Sequence, residues 1–249
     1  MINELKNKVR RSDHAIWLFI LVISHLLVSG ISAQQTVLYR DAEADFSNLV
    51  KEYEQGLYGR CIRSADKYKA VYKEPAFEQF ALEAELYKLK AGLNIGNPNI
   101  INQVFAFAES FKSDAVSEKA VLLIGEDAYD RKEYEEAVKY LSMVDGSALQ
   151  PEEQSALNFK LGYVLFVRKE FERAATLFNM GREVRDKYYY PANYYYGMTQ
   201  YFAGNYPEAV RSFERVAPSS FYKDYIPYYI TQIYFSTKDY SRVIGYGNQ

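Results

Sequence analysis

Arg131-Lys132-Glu133-Tyr134-Glu135-Glu136-Ala137-Val138 and Ala203-Gly204-Asn205-Tyr206-Pro207-Glu208-Ala209-Val210 follow one pattern: a short turn, an aromatic ring, acidic side chains, then a small alanine. Each stretch sits in a longer frame. A glycine stands nine residues before the ring, and a large apolar side chain follows the alanine by four, giving Gly125, Tyr134, Ala137, Leu141 and Val144 in one copy. The other copy reads Gly197, Tyr206, Ala209, Phe213 and Val216. Between them Leu161-Gly162, Phe171, Ala174, Phe178 and Gly181 keep the same offsets, so the three glycines are 37 and 35 residues apart. A further copy is anchored on Tyr240, 34 residues after Tyr206, with Val243 in the alanine place. Self-similarity at such a period marks a stacked-repeat architecture.

Each anchor has a steric task. Glycine lets two antiparallel helices approach closely, the aromatic closes the turn between them, and the alanine is the small contact of the second helix. The Phe or Leu is a knob between neighbouring hairpins. The unit is therefore a helix-turn-helix of about 34 residues. Proline placement agrees: Pro75, Pro98, Pro151, Pro191 and Pro207 fall where helices begin, the place where a missing amide hydrogen costs least. Glu152, Glu153 and Glu208 put negative charge in first turns, which the helix dipole favours. No segment alternates with period 2 over more than a few residues, so the chain reads as all-α.

Leu-Gly, then Tyr or Phe, then Ala and Phe at these spacings closely resembles the tetratricopeptide repeat. The departures are a missing tryptophan near the start of the first helix, where Asn158 and Asn193 stand, and a missing closing proline in most copies. The resemblance implies a right-handed α-solenoid of antiparallel helix hairpins. Upstream the pattern is looser: Gly56-Leu57-Tyr58-Gly59-Arg60-Cys61-Ile62 reads as a turn and second helix, and Ile101, Phe105 and Ala108 follow Asn97-Pro98 as another. The expected hairpins span 43–73, 75–112, 116–148, 152–187 and 191–219, with an incomplete one at 223–249.

Residues 1–33 have a different character. A basic stretch from Met1 to Arg11 precedes an apolar run from Ala15 to Val28, interrupted at Ser24-His25, and a small-residue exit Ser29-Gly30-Ile31-Ser32-Ala33. This is the layout of a secretory signal peptide, with the cut expected between Ala33 and Gln34. An uncleaved anchor is the competing reading, but the apolar core falls short of the roughly 20 residues a spanning helix needs. No cysteine stands near the cut to take a lipid. The expected location of the 34–249 solenoid is outside the cytoplasm, periplasmic or outer-membrane associated in a Gram-negative cell.

The leader holds His14, His25 and Trp17, so the remainder has no imidazole and one thiol, Cys61. Histidine catalysis, His-ligated zinc and a disulfide framework are excluded by this count. Residues 34–249 carry 26 basic and 30 acidic side chains, a balance that disfavours nucleic acid. Cys61 stands at the alanine-like packing position. Glu83 with Glu85, and Glu133 with Glu135 and Glu136, read as solvated helix faces rather than an acid-base pair. No phosphate-binding or nucleophile-elbow glycine motif occurs. No enzyme activity, cofactor or metal is expected.

What distinguishes the chain is tyrosine: 25 of them, 15 at or after Tyr188. The resemblance places the first helix of each unit on a concave groove, with positions 2, 5, 9 and 12 facing it when the glycine counts as the eighth residue. The groove so read contains Phe159, Tyr163 and Phe166, then Tyr194, Met198 and Tyr201, then Tyr225, Tyr228 and Phe235, with Gln232 among them. The unit on Gly125 offers Lys119, Leu122, Glu126 and Tyr129. Tyr188, Tyr189, Tyr190, Tyr195 and Tyr196 fall outside these positions. Half-wet rings suit a peptide groove or a glycan-stacking platform, and the bland alternative is that they fill space between adjacent helices. The resemblance implies a non-catalytic scaffold for a protein or peptide partner in an envelope assembly, with glycan capture as the second reading. Contact with a membrane is expected only through an uncleaved leader or a partner. The last unit stops one turn into its second helix where an array normally ends in a polar cap. The chain therefore reads as a fragment, a truncated product or a partner-capped protein, with an exposed face around Tyr228, Ile230, Ile233 and Tyr234.

Overall fold

Tyr134, Phe171, Tyr206 and Tyr240 are each the first residue of a helix in the computed structural model, which describes residues 37–112 and 115–247. They open α6 (Tyr134–Leu141), α8 (Phe171–Gly181), α10 (Tyr206–Val216) and α12 (Tyr240–Gly247). The leading helices are α5 (Ala115–Asp130), α7 (Pro151–Val167), α9 (Tyr189–Phe202) and α11 (Ile226–Ser236). Upstream come α1 over residues 37–54, α2 (Tyr58–Val71), a 3-10 turn at Pro75–Phe77, α3 (Glu78–Asn94) and α4 (Ile100–Ser110). The described residues contain no strand. The fold is an all-α, tetratricopeptide-like α-solenoid. The leader and its expected cut lie outside the described residues.

The hairpin turns are built alike. Lys132, Lys169, Gly204 and Lys238 all have φ between 60° and 73° and stand at the same place in the repeat. The next amide reaches back over the helix end, Glu133 to the Ala128 carbonyl and Glu170 to that of Leu165, both at 2.9 Å, closing a Schellman motif. Only Gly204 takes this left-handed conformation without a side-chain penalty. Replacing exposed Lys169 by glycine is expected to stabilise the protein by about 1 kcal/mol, read as a raised urea midpoint. An unchanged midpoint would remove the penalty argument. Helix starts are equally local: Pro151 opens α7 behind Gln150, whose amide donates to Glu153 at 2.9 Å in a capping box.

The chain divides into two compact units, 1–91 and 92–249, and the division falls inside α3, within the span 75–112 expected as one hairpin. In the first unit Ala42, Leu49, Cys61, Ala65, Tyr68, Phe77 and Ala84 form the buried core. Lys69–Glu85 at 2.8 Å and Lys88–Asp66 at 2.6 Å tie α2 to α3. Cys61 is fully buried, and desolvation, with Glu52 adding to it, pushes its thiol up to about 11. Ellman's reagent at pH 8 is expected to find no free thiol until denaturant is added. Rapid native labelling would contradict a packing role.

In the second unit each helix packs on the next, and α5, α7 and α9 also touch one another in a row of leading helices. A β-carbon built on Gly125, Gly162 or Gly197 would lie 2.6, 2.9 or 2.7 Å from Leu141, Phe178 or Phe213. These are the fully buried knobs of the trailing helices. Glycine at the eighth position is thus required by the neighbouring side chain.

Candidate functional site

Tyr195 of α9 lies against α7, with ring centroids 5.1 Å from both Tyr163 and Phe166 and 6.2 Å from Phe159. It stacks on Phe178 of α8 at 5.8 Å, with planes 22° apart. One repeat later Tyr229 of α11 meets Tyr194 and Tyr201 of α9 at 6.3 and 6.1 Å and stacks on Phe213 of α10 at 5.5 Å and 23°. The two joints share a design. The fifth and twelfth positions of one leading helix form walls, the knob of its trailing helix forms the floor, and the sixth-position ring of the next leading helix enters. Such ring pairs contribute about 0.5–1.5 kcal/mol beyond area burial.

The joint between α5 and α7 uses the same places with different chemistry. The sixth position of α7 is Lys160, 7% exposed. Its ammonium lies 5.3 Å from the centroid of Tyr129, the twelfth-position wall, and 3.3 Å from carboxylates of both Glu126 and Asp130. Glu126 holds the ninth position, where the tyrosine-receiving joints have Tyr163 and Met198. A buried ammonium needs this paired carboxylate and ring face.

The predicted groove residues therefore divide. Phe159 and Met198 are core members, each 8% exposed, because the fifth and ninth positions point at the neighbouring leading helix. Tyr163, Phe166, Tyr194 and Tyr201 are half-buried in the joints. Tyr225, Tyr228 and Phe235 on α11 are 57, 62 and 60% exposed. The expected apolar end face is corrected in detail: Ile230, Ile233 and Tyr234 are buried in one core with Phe213 and Val216, and Tyr240 and Ile244 are exposed instead. Tyr195 and Tyr229 are what the groove frame missed. Their separation of 34 residues, one repeat, was the available signal.

Burial, and after it the neighbouring phenols, raises the pKa of Tyr129, Tyr194 and Tyr195 well above the ordinary tyrosine value. These three phenols are therefore uncharged at neutral pH. Acidic side chains singled out in the sequence are paired: Glu85 with Lys69 and Lys88, Glu133 with Arg131, Glu135 with Arg168, Glu136 with Lys139. No cluster of three His, Cys, Asp or Glu suited to a metal ion occurs among the described residues. Beside Phe166 of the α7–α9 joint, Phe171 stacks on Phe202 at 5.0 Å, and the two rings line an open hollow of about 700 Å³ with Lys169, Arg173 and Gln200.

Asn193, fully buried where the repeat family has tryptophan, donates from Nδ2 to the carbonyls of Arg182 and Tyr189, both at 2.8 Å. It thereby ties the end of α8 to α9. The Arg182 guanidinium faces the Tyr196 ring at 4.2 Å and donates to Glu208 at 3.2 Å. Burial works to raise Glu208, yet hydrogen bonds and charge from Arg211 and Arg182 hold its pKa below 4.5. A depressed carboxylate contributes stability above its unfolded pKa and loses it as pH falls through the folded value. Unfolding measured at pH 7 and pH 3.5 is therefore expected to show a smaller acid-induced loss for Glu208→Gln than for the parent. Equal losses would mean the ion pair is silent.

No family model matches the chain, and no curated protein matches it by sequence. The solved structure of PilF from Pseudomonas aeruginosa, determined in work on that protein's functional characterization, is similar in fold. The similarity covers 84% of this chain and 89% of that one, with a TM-score of 0.57 and 16% identity. What this chain shares with it is the all-helical, tetratricopeptide-like architecture.

Proposed function

We propose that the chain is a non-catalytic scaffold of the cell envelope that holds a protein or peptide partner on its helix hairpins. The observation that carries this is the exposure of Tyr225, Tyr228 and Phe235 on α11, continuous with Tyr240 and Ile244 on α12. Contiguous exposed apolar side chains of this size mark interaction sites in soluble proteins, and rigid aromatic rings are the favoured anchors of interfaces. The ion pairs of Glu85, Glu133, Glu135 and Glu136 and the burial of Cys61 support the non-catalytic reading. The envelope assignment rests on the sequence of residues 1–33. No helix among the described residues is long and apolar enough to cross a membrane.

A photo-crosslinking side chain at Tyr228, introduced in the native cell, is expected to give one discrete protein adduct in the envelope fraction. The same probe at exposed Lys67 on α2 is expected to give none, and the exported protein should begin at Gln34. Absence of an adduct at Tyr228 would overturn the scaffold. Glycan-array binding lost on Tyr194→Ala or Tyr228→Ala would replace it with glycan capture.

A further inference from the structure

The hairpin turns carry one exception to their own pattern. Arg168, the C-cap of α7, donates from Nη1 to Glu135 in the first turn of α6 at 2.8 Å. One repeat on, Ala203 is the C-cap of α9 and Glu172 stands in the first turn of α8. The acid is kept and the arginine is gone, so Glu172 has no ion pair among the described residues. A further repeat on, the same places hold Thr237 and Pro207, with neither charge. Glu172 and Ala203 line the open hollow of about 700 Å³ together with the stacked rings of Phe171 and Phe202. Phe202 is 52% exposed although hairpins stand on both sides of its own, and the thirteenth position of the other leading helices is Asp130, Val167 or Ser236, none of them a ring. At the next repeat the equivalent hollow is smaller, about 440 Å³, and Tyr234, in the place of Gln200, meets the guanidinium of Arg242 at 4.4 Å.

We infer that this hollow is a binding site for an arginine side chain on a partner polypeptide, with the aliphatic stem against Phe171 and Phe202 and the guanidinium paired with Glu172. The inference deepens the scaffold reading and rests on it. Charge complementarity selects the occupant: Glu172 keeps the carboxylate with which its counterpart Glu135 holds an arginine, and the chain supplies no cation at Ala203. Two cations at the rim do not fill the role. Arg173 is engaged by Glu170, and Lys169 has the left-handed turn place that Lys132 has in the hairpin of Glu135, where Arg168 is still the partner. Arginine suits the place better than lysine, because a planar guanidinium can lie on a ring face while its edge donates to a carboxylate. A hollow of this volume is of the size that takes a whole small ligand rather than one side chain. The arginine therefore arrives with its neighbours, on a short stretch of chain.

Two-dimensional NMR of the full chain, titrated with the capped tripeptide acetyl-Gly-Arg-Gly-amide at millimolar concentration, tests the site. Shift changes are expected at the amides of residues 169–175 and 199–203. The citrulline tripeptide, which keeps the shape of arginine and loses its charge, is expected to give none. Glu172→Gln and Phe202→Ala, both at exposed positions, are each expected to weaken binding about fivefold. Ala203→Arg returns the pair to the chain itself and is expected to abolish binding. No shift at these amides, an equal response to citrulline, tighter binding of acetyl-Gly-Glu-Gly-amide, or unchanged affinity in Glu172→Gln would each overturn the site. A dimer that Glu172→Gln dissociates would give the hollow to a second copy of the chain and overturn the partner's arginine. Arginine binding together with failed crosslinking at Tyr228 would refute the scaffold and leave the chemistry of the hollow standing, whereas an adduct at Tyr228 without arginine binding would do the reverse.

Discussion

Phe213→Ala is expected to destabilise the second unit by about 3–5 kcal/mol, a large share of the stability of a domain this size. The ring is fully buried, with Tyr229 stacked on it at 5.5 Å and Tyr194 beside it at 6.2 Å. Its removal leaves a cavity at the floor of the α9–α11 joint, and Tyr229 loses its stacking partner. Gly197 faces the void but carries nothing to fill it. Stability in a repeat array is local to a unit and its neighbours, so α11 and α12 should lose exchange protection first, with α5 to α7 affected least. Phe178→Ala, the same change one repeat earlier, should cost as much and loosen the α7–α9 joint instead. Urea unfolding followed by circular dichroism reads the totals, and hydrogen exchange reads the locations. A loss below about 1 kcal/mol would mean that the joint collapses around the missing ring.

Gly197→Ala should destabilise the parent protein and stabilise the Phe213→Ala variant. In a helix alanine is favoured over glycine by about 1 kcal/mol, so propensity alone predicts a gain. In the parent, however, the new methyl would lie 2.7 Å from Phe213 Cε1 and 2.8 Å from its Cδ1, inside a packed core where the ring has no room to retreat. Overpacking of this kind costs about 1–3 kcal/mol and exceeds the propensity term. Once Phe213 is alanine the obstruction is gone, and the propensity gain and partial filling of the cavity remain. A double-mutant cycle over the four proteins isolates the coupling, which should exceed about 1 kcal/mol. Additive effects would show that the glycine is there for some reason other than the facing ring.

Those two residues also show why much of the fold was legible in the sequence. Gly197 and Phe213 recur at fixed offsets because the close approach of two helices admits one small and one large partner, and that constraint leaves a mark in every copy. Pro151 and Pro207 marked helix starts for an equally local reason, and Pro227, in the first turn of α11, carries the same mark. The joints were harder to see. Whether Phe159 faces a groove or a neighbouring helix depends on how far adjacent leading helices are separated, a tertiary distance that no spacing encodes. The groove frame gives the sixth position, and with it Tyr195, no role, although Tyr229 repeats it 34 residues later. Lys160 at the equivalent place hid the regularity further, since a lysine and a tyrosine look unrelated until the acids around the lysine are seen. The exposed end is legible as a region, whereas the burial of Ile230, Ile233 and Tyr234 in one core with Phe213 and Val216 is a tertiary outcome that no spacing encodes.

The alternation of Lys160, Tyr195 and Tyr229 along the array has a consequence for the order of its modules. In a solenoid of identical units any hairpin can follow any other. Here the hairpin led by α7 brings the Lys160 ammonium, which Glu126 and Asp130 of the α5 unit neutralise, and those led by α9 and α11 bring the rings of Tyr195 and Tyr229, which meet uncharged walls. Exchanging the α7–α8 and α9–α10 segments would strand a buried cation on one side and leave carboxylates without their counter-charge on the other. The succession of hairpins is thus written into the chain as a lock on permutation, and a shuffled array would fail at its junctions while every hairpin kept its own sequence.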